Sequence, residues 1–197
     1  MRFTKITSFI LFAVVLAFTL CGCSNKAGSV KAEMVIKDYG TITLTLDRTQ
    51  APITVDHFVK LAKNGSYDDS KIIRMQEGFV LQGGAEAKDN STIKGEFSSN
   101  GVKNNIQHKK GVISMARATD PNSASSQFFI VLDDKAQSTL DGSYAAFGRV
   151  TDGWDVIEKI CSDITPDKCT NDYYGFVMGF LRESEYITIE TVRIVED

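Results

Sequence analysis

Short runs of alternating apolar and polar residues, separated by polar turns that often contain glycine, fill most of the chain after residue 33. Such runs predict β-strands with one buried face. The predicted strands are 33–37, 41–46, 72–75, 79–82, 112–116, 128–132, 145–150 and 186–195. Many short strands with few helical segments indicate a mainly β fold, closed or nearly closed into an antiparallel barrel.

Two segments have helical periodicity instead. Pro52 opens the first, in which apolar side chains between residues 55 and 62 recur every three or four positions, with Thr54 as the predicted cap. The second follows Trp154 and continues through Ile157 and Ile160. We therefore expect two short helices beside the barrel.

The N-terminus has the pattern of an export signal. Arg2 and Lys5 precede an apolar run, residues 9–20, that is too short to span a bilayer comfortably. The run ends in Leu-Cys-Gly-Cys, which resembles the lipobox of bacterial lipoproteins, where cleavage after a small residue frees a cysteine for lipid attachment. We expect residues 1–22 to be a signal peptide and Cys23 to carry the lipid, palmitate included. An ordinary secretory signal is the alternative.

The rest of the chain divides into a tether and one domain. Residues 23–32 are mostly small or polar, which is typical of a flexible linker. Residues 33–197 suffice for one domain with a substantial core, and 43% of the chain is hydrophobic. We expect a monomer anchored to the bacterial cell membrane and facing away from the cytoplasm.

The formal net charge of −3 and the lack of a basic cluster argue against nucleic acid binding.

Two cysteines, Cys161 and Cys169, fall in the predicted domain. An exported location would permit them to form a disulfide, and two free thiols are the alternative. The chain has only two histidines, His57 and His108, and neither is at ligand spacing from the cysteines. No metal site is predicted.

Three segments carry the most specific motifs. The first, residues 72–84, reads IIRMQEGFVLQGG and places one arginine among apolar residues, which suggests a dry pocket with one strong donor. Residues 111–132 read GVISMARATDPNSASSQFFIVL, and residues 140–150 read LDGSYAAFGRV. In this order the three resemble the cyclophilin family of peptidyl-prolyl cis-trans isomerases. The resemblance covers nearly all of residues 33–197, and it implies a closed eight-stranded antiparallel barrel capped by two α-helices.

The same resemblance assigns roles to individual residues. Arg74 takes the position of the family's catalytic arginine, assisted by Phe79 and Gln82. The resemblance implies further substrate-binding residues at Val80, Ala116, Arg117, Ala118, Gln127, Phe129, Leu140 and Tyr144. Phe79, Val80, Phe129 and Leu140 would wall a proline pocket together with Tyr144, and the two glutamines would hold the substrate backbone and orient Arg74. The main chain at Arg117 would pair with the residue before proline, and the small side chains of Ala116 and Ala118 would keep that approach open. No cofactor is implied.

The implied function is isomerisation of X-Pro bonds in exported or surface proteins, which assists their folding and makes proline-containing polypeptides the substrates. The alternative is a binding module for proline segments, or a surface lipoprotein scaffold, without significant catalysis. Thr139 stands where family members that bind cyclosporin tightly have tryptophan, so the resemblance does not extend to tight inhibitor binding. The apolar stretch 173–181 is expected to pack over a barrel end, with docking to a partner or a membrane as the alternative.

Overall fold

The computed structural model describes residues 28–171 and 177–196 of the chain. The predicted signal peptide, Cys23 and residues 173–176 lie outside the described residues. The strands are β1 (Ser29–Ile36), β2 (Gly40–Asp47), β3 (Ser70–Ile72), β4 (Arg74–Gln76), β5 (Val80–Gly83), β6 (Val112–Met115), β7 (Phe128–Val131), β8 (Ala146–Asp152), β9 (Cys169–Asn171), β10 (Val177–Leu181) and β11 (Ile187–Glu196). The α-helices are α1 (Pro52–Lys63), α2 (Gln137–Leu140) and α3 (Trp154–Asp163). None of the helices in the described part of the chain is long and apolar enough to cross a membrane.

The strands form one antiparallel sheet in the order β3-β11-β1-β2-β8-β6-β7-β5-β4-β10-β9. The mainly β class is confirmed, but the prediction of a closed eight-stranded barrel is wrong, because the sheet is a curled half-barrel with eleven strands among the described residues. One reason is a break at Ile73, whose N–H donates to Gln82 and whose carbonyl accepts from Leu181. It divides the predicted strand 72–75 between β3, which pairs with β11, and β4, which pairs with β5. The other reason is that β9 and β10, which were not predicted, add to the free side of β4.

Strand β1 begins four residues before the predicted start of the domain. Val30 and Ala32 were assigned to the tether, yet both are completely buried. They pair with Leu46 and Leu44 of β2 over the same core. Alternation of buried and exposed residues therefore starts at Ser29, and only the part of the tether before it stays a prediction.

Helix α1 has its predicted bounds but a different cap. Thr54 was the predicted cap, whereas Ala51 is the N-cap residue and makes no side-chain bond to the helix. The cap comes from Glu96, whose carboxylate accepts from the N–H groups of Ile53 and Thr54 at 3.1 and 2.8 Å. Thr54 Oγ1 donates to the same carboxylate at 2.7 Å. A charged group remote in sequence thus satisfies the free N–H groups of the first turn.

Apolar side chains are buried on both faces of the sheet. Phe128 and Ile130 of β7 lie in the main cluster under α1, where the aromatic rings of Phe58, Tyr67 and Phe147 also pack. The alternate residues of β7, Phe129 and Val131, lie in a smaller cluster on the other face. Because successive side chains of a strand point to opposite faces, all four residues of β7 are buried. The smaller cluster forms the floor of the candidate site.

Candidate active site

One row of side chains crosses the outer face of the sheet. Phe180 of β10 pairs with Arg74 of β4, and Arg74 pairs with Gln82 of β5. Gln82 pairs in turn with Phe129 of β7, and Phe129 pairs with Ser114 of β6. Directly paired residues point to the same face, so segments far apart in sequence bring these five side chains into one line.

Arg74 lies half-buried in this row. Its guanidinium carbon is 5.8 Å from the ring centroid of Phe79 and 5.0 Å from that of Phe180, both within cation–π range. Its Nη2 donates to Gln76. Burial lowers the pKa of Arg74, and Tyr144 opposes this shift. The side chain stays charged at neutral pH because the free guanidinium titrates far above that range.

The row borders a cleft of about 220 Å³. Its lining residues are Arg74, Phe79, Val80, Gln82, Ala116, Arg117, Phe129, Leu140, Tyr144 and Phe180. All except the last were predicted from the sequence, and the structure brings them together. Phe129 and Tyr144 meet edge to face at 5.4 Å, which gives the cleft two rigid aromatic walls.

A second cleft, of about 330 Å³, adjoins the first and shares three lining residues with it. Its lining residues are Gln82, Ala116, Arg117, Ala118, Ser123, Ser125 and Gln127. Gln82 Nε2 donates to Gln127 Oε1 at 2.9 Å, so the two predicted glutamines are bonded to each other across the boundary. The main chain of residues 116–118 runs along this more polar cleft.

The side chain of Arg117 braces the wall between the clefts. Its Nε donates to the Ser143 carbonyl at 2.9 Å, and its guanidinium carbon lies 5.1 Å from the Phe97 ring and 4.9 Å from the Tyr144 ring. These contacts pack the Arg117 side chain against Tyr144 and hold the ring in place.

Three polar residues that the sequence analysis did not connect support Phe129 from behind. His108 is 1% exposed and stacks on Phe129 with ring centroids 6.1 Å apart. Because a carboxylate only accepts, His108 Nδ1 donates to Asp141 at 2.8 Å, which leaves Nε2 to accept from Ser114 Oγ at 3.0 Å. Burial lowers the pKa of His108, and Asp141 opposes part of that shift.

Sequence reasoning also missed Gln76 and Phe180. Gln76 lies two positions after Arg74 in the same strand, so the period of two in β-strands could have placed it beside the arginine. Phe180 belongs to the apolar stretch 173–181, but nothing in the sequence indicated that this part of the stretch pairs with β4. Only the observed register, Phe180 opposite Arg74, reveals its place.

Cys161 and Cys169 are both free thiols, each half-buried. Burial raises the pKa of Cys161 to about 11, with Glu158 and Glu77 adding to the shift. The possible disulfide is not formed in this structure. Within the two described ranges, no three His, Cys, Asp or Glu side chains are grouped so that they could hold a metal ion.

The cyclophilin type peptidyl-prolyl cis-trans isomerase/CLD family model matches residues 31–174. Peptidyl-prolyl cis-trans isomerase A of Dickeya dadantii is 36% identical over 162 residues, which cover 77% of this chain and 83% of that protein. Peptidyl-prolyl cis-trans isomerase B of Escherichia coli is 33% identical over 130 residues, 62% of this chain and 79% of that protein.

Solved structures share the fold. The crystal structure of a Cryptosporidium parvum cyclophilin type peptidyl-prolyl cis-trans isomerase, obtained in the presence of the dipeptide Ala-Pro, superposes with a TM-score of 0.63. It is 22% identical, and the match covers 85% of this chain and 99% of that one. Cyclophilin AquaCyp293 from Hirschia baltica also gives a TM-score of 0.63 at 22% identity, over 85% of this chain and 76% of that one.

Proposed function

The chain belongs to the cyclophilin family of peptidyl-prolyl cis-trans isomerases, and from that premise we propose that it acts on exported or surface proteins and assists their folding. The activity itself is that of the family. The observation that carries the assignment of the site is the position of Arg74, half-buried at the edge of a cleft that has Phe79, Phe129 and Leu140 in its walls and is large enough for a prolyl ring.

Catalysis requires rotation about a peptide bond, whose resonance creates a barrier of about 18–20 kcal/mol. In the twisted transition state the prolyl nitrogen is no longer conjugated and accepts a hydrogen bond. A guanidinium aimed at this nitrogen stabilises the twisted state more than either planar one. Arg74 is the donor, and Phe79, Phe129 and Leu140 exclude water from the ring.

The contributions can be compared with what catalysis needs. A rate enhancement of about 10⁵ corresponds to roughly 7 kcal/mol. One well-placed donor in a dry site contributes about 3–4 kcal/mol. Desolvation by the apolar walls and orientation by the Gln82–Gln127 pair supply the rest.

The N-terminal sequence supports the location. Arg2, Lys5 and the apolar run 9–20 form an export signal, and Cys23 follows a small residue at the lipobox. A lipid on Cys23 would hold the domain on the outer side of the cell membrane. The enzyme would then be concentrated where polypeptides emerge unfolded and their X-Pro bonds isomerise over tens to hundreds of seconds.

We expect the full chain, purified in detergent, to accelerate cis-trans exchange of an Ala-Pro peptide measured by exchange NMR. Arg74→Ala should lower kcat/KM by about 10²–10³-fold, because one electrostatic donor to the transition state is lost. Arg193→Ala, which removes an exposed arginine on β11, is the matched control and should retain the wild-type rate. Equal rates for the wild type and Arg74→Ala would refute the assignment of Arg74.

The anchor is tested separately by metabolic labelling with palmitate in a bacterial host. Cys23→Ala should abolish the label and accumulate the unprocessed precursor, whereas Cys21→Ala should remain labelled. Persistent labelling of Cys23→Ala would mean that the lipid lies elsewhere.

A further inference from the structure

An aromatic residue outside the region matched by the family model reaches the candidate site. The match covers residues 31–174, and Phe180 of β10 lies beyond it. Strand β10 adds to the free side of β4, with Phe180 opposite Arg74 and Leu181 N–H donating to the Ile73 carbonyl at 2.8 Å. This part of the chain thus supplies the Arg74 strand with an extra neighbour.

The Phe180 ring faces both the cleft and the solvent. It lines the 220 Å³ cleft, and its centroid is 5.0 Å from the Arg74 guanidinium carbon. The residue is nevertheless 38% exposed, one of few large hydrophobic residues in the described ranges with so much free surface. An aromatic ring that is held by a cation on one side and open on the other can contact a bound ligand.

The strand order indicates which part of a substrate Phe180 would meet. Gln82 and Phe180 pair with Arg74 from opposite sides. Gln82 lies on the side of the second cleft, which Arg117 also lines and where the resemblance implies that the Arg117 main chain pairs with the residue before proline. With the prolyl ring in the first cleft, the chain after proline is directed past Arg74 toward β10.

We propose that Phe180 is a specificity-determining residue that contacts the residue after proline and favours a large apolar or aromatic side chain there. This inference rests on the proposed function of the same site. An aromatic pair of this kind changes an affinity by about 3- to 10-fold. The effect should appear mainly in KM, because the residue after proline is bound similarly in the planar and twisted states.

Gly179 explains how β10 keeps this position. Its φ is +75°, and a Cβ atom placed on it would lie 2.2 Å from the Met75 carbonyl oxygen. Only glycine permits such a close approach of β10 to β4. Gly179→Ala should therefore push β10 away from β4 while the Phe180 side chain is retained.

The test compares kcat/KM of the full chain for two peptides, Ala-Ala-Pro-Phe and Ala-Ala-Pro-Gly. The wild type should prefer the Pro-Phe peptide. Phe180→Ala should lower the Pro-Phe to Pro-Gly ratio by about 3- to 10-fold through a higher KM for Pro-Phe. Gly179→Ala should lower the ratio in the same direction.

Matched controls separate this effect from general damage. Val195→Ala truncates another exposed apolar residue, which is 44% exposed on β11. Gly101→Ala adds a Cβ atom to a glycine that has the same φ, +75°, but no neighbouring atom within 4 Å of the added carbon. Both should keep the wild-type ratio. An unchanged ratio in Phe180→Ala, with an active wild type, would overturn this inference alone. A wild type inactive on both peptides would overturn the proposed function and this inference with it.

Discussion

Arg74 and Cys161 show how partial burial acts on single side chains. Burial disfavours the charged form of each, so it lowers the pKa of the arginine and raises that of the cysteine to about 11. The guanidinium remains a cation at neutral pH because its normal value is so high, whereas the thiol remains neutral. One physical effect therefore leaves a charged donor at the site and an unreactive cysteine within α3.

Alkylation should detect the altered thiol. We expect the Cys161 peptide, quantified by mass spectrometry after pulses of iodoacetamide, to react far more slowly than free glutathione at pH 8. Only the thiolate reacts, so the rate should keep rising up to about pH 11. A rate that levels off below pH 9 would contradict the assigned environment.

At the scale of elements, contacts between distant segments decide where helices begin and where strands end. Glu96 is 2% exposed and supplies the cap that the residues at the start of α1 do not. In the same way, β10 extends the sheet beyond β4 and places Phe180 at the site. Neither the contact of Glu96 with α1 nor the pairing of β10 with β4 can be recognised from the local sequence, because a carboxylate or an apolar run is compatible with many partners.

Removal of the Glu96 charge should destabilise the fold measurably. Glu96→Gln replaces an acceptor of three hydrogen bonds with an amide that can accept through only one oxygen. We expect the free energy of unfolding in urea to fall by about 1–3 kcal/mol, since buried donors of α1 lose a charged partner. Glu190→Gln, at an exposed carboxylate on β11, should change it little. Equal losses in the two variants would argue against the cap.

At the scale of the whole molecule, the two faces of the curled sheet have different structural roles. The large cluster under α1 stabilises the fold, and the smaller one on the opposite face supports the substrate cleft. The two buried histidines follow the same division. His57 lies on α1 and bonds to the Ser125 carbonyl at 2.8 Å, and His108 lies behind Phe129.

Stability should depend on pH through these two histidines. Burial lowers the pKa of both in the folded state, so below about pH 6.5 the unfolded chain binds more protons. Above pH 6.5 the two neutral histidines should therefore make their whole contribution to the free energy of unfolding. That free energy should fall as the pH drops, by up to about 1.4 kcal/mol per pH unit for each histidine. Urea unfolding at pH 7.5, 6.5 and 5.5 measures this loss.

A His57→Asn, His108→Asn double variant is the control, because the chain contains no other histidine. Its stability should be lower at pH 7.5 but nearly level down to pH 5.5. A slope as steep as that of the wild type would assign the pH dependence to other groups.

Much of the fold and most of the candidate site could be predicted from the sequence. Most strand runs and both longer helices were predicted close to their observed places, although the run 72–75 is divided at Ile73, and nine lining residues of the first cleft were named from the sequence. The closed eight-stranded barrel, the Thr54 cap and the start of the domain at residue 33 were not correct. Gln76, Phe180 and the support of Phe129 by His108 were missed.

The sequence by itself determined the local features, because a period of two or of 3.6 residues and the turn residues between runs act over a few neighbouring positions. It also determined the order of the motifs that identify the family. Only the tertiary structure decided that β10 lies against β4, that Glu96 caps α1 and that the sheet ends at β9. These choices depend on which of many possible long-range pairings gives the packed chain its lowest free energy, and no short stretch of sequence contains that comparison.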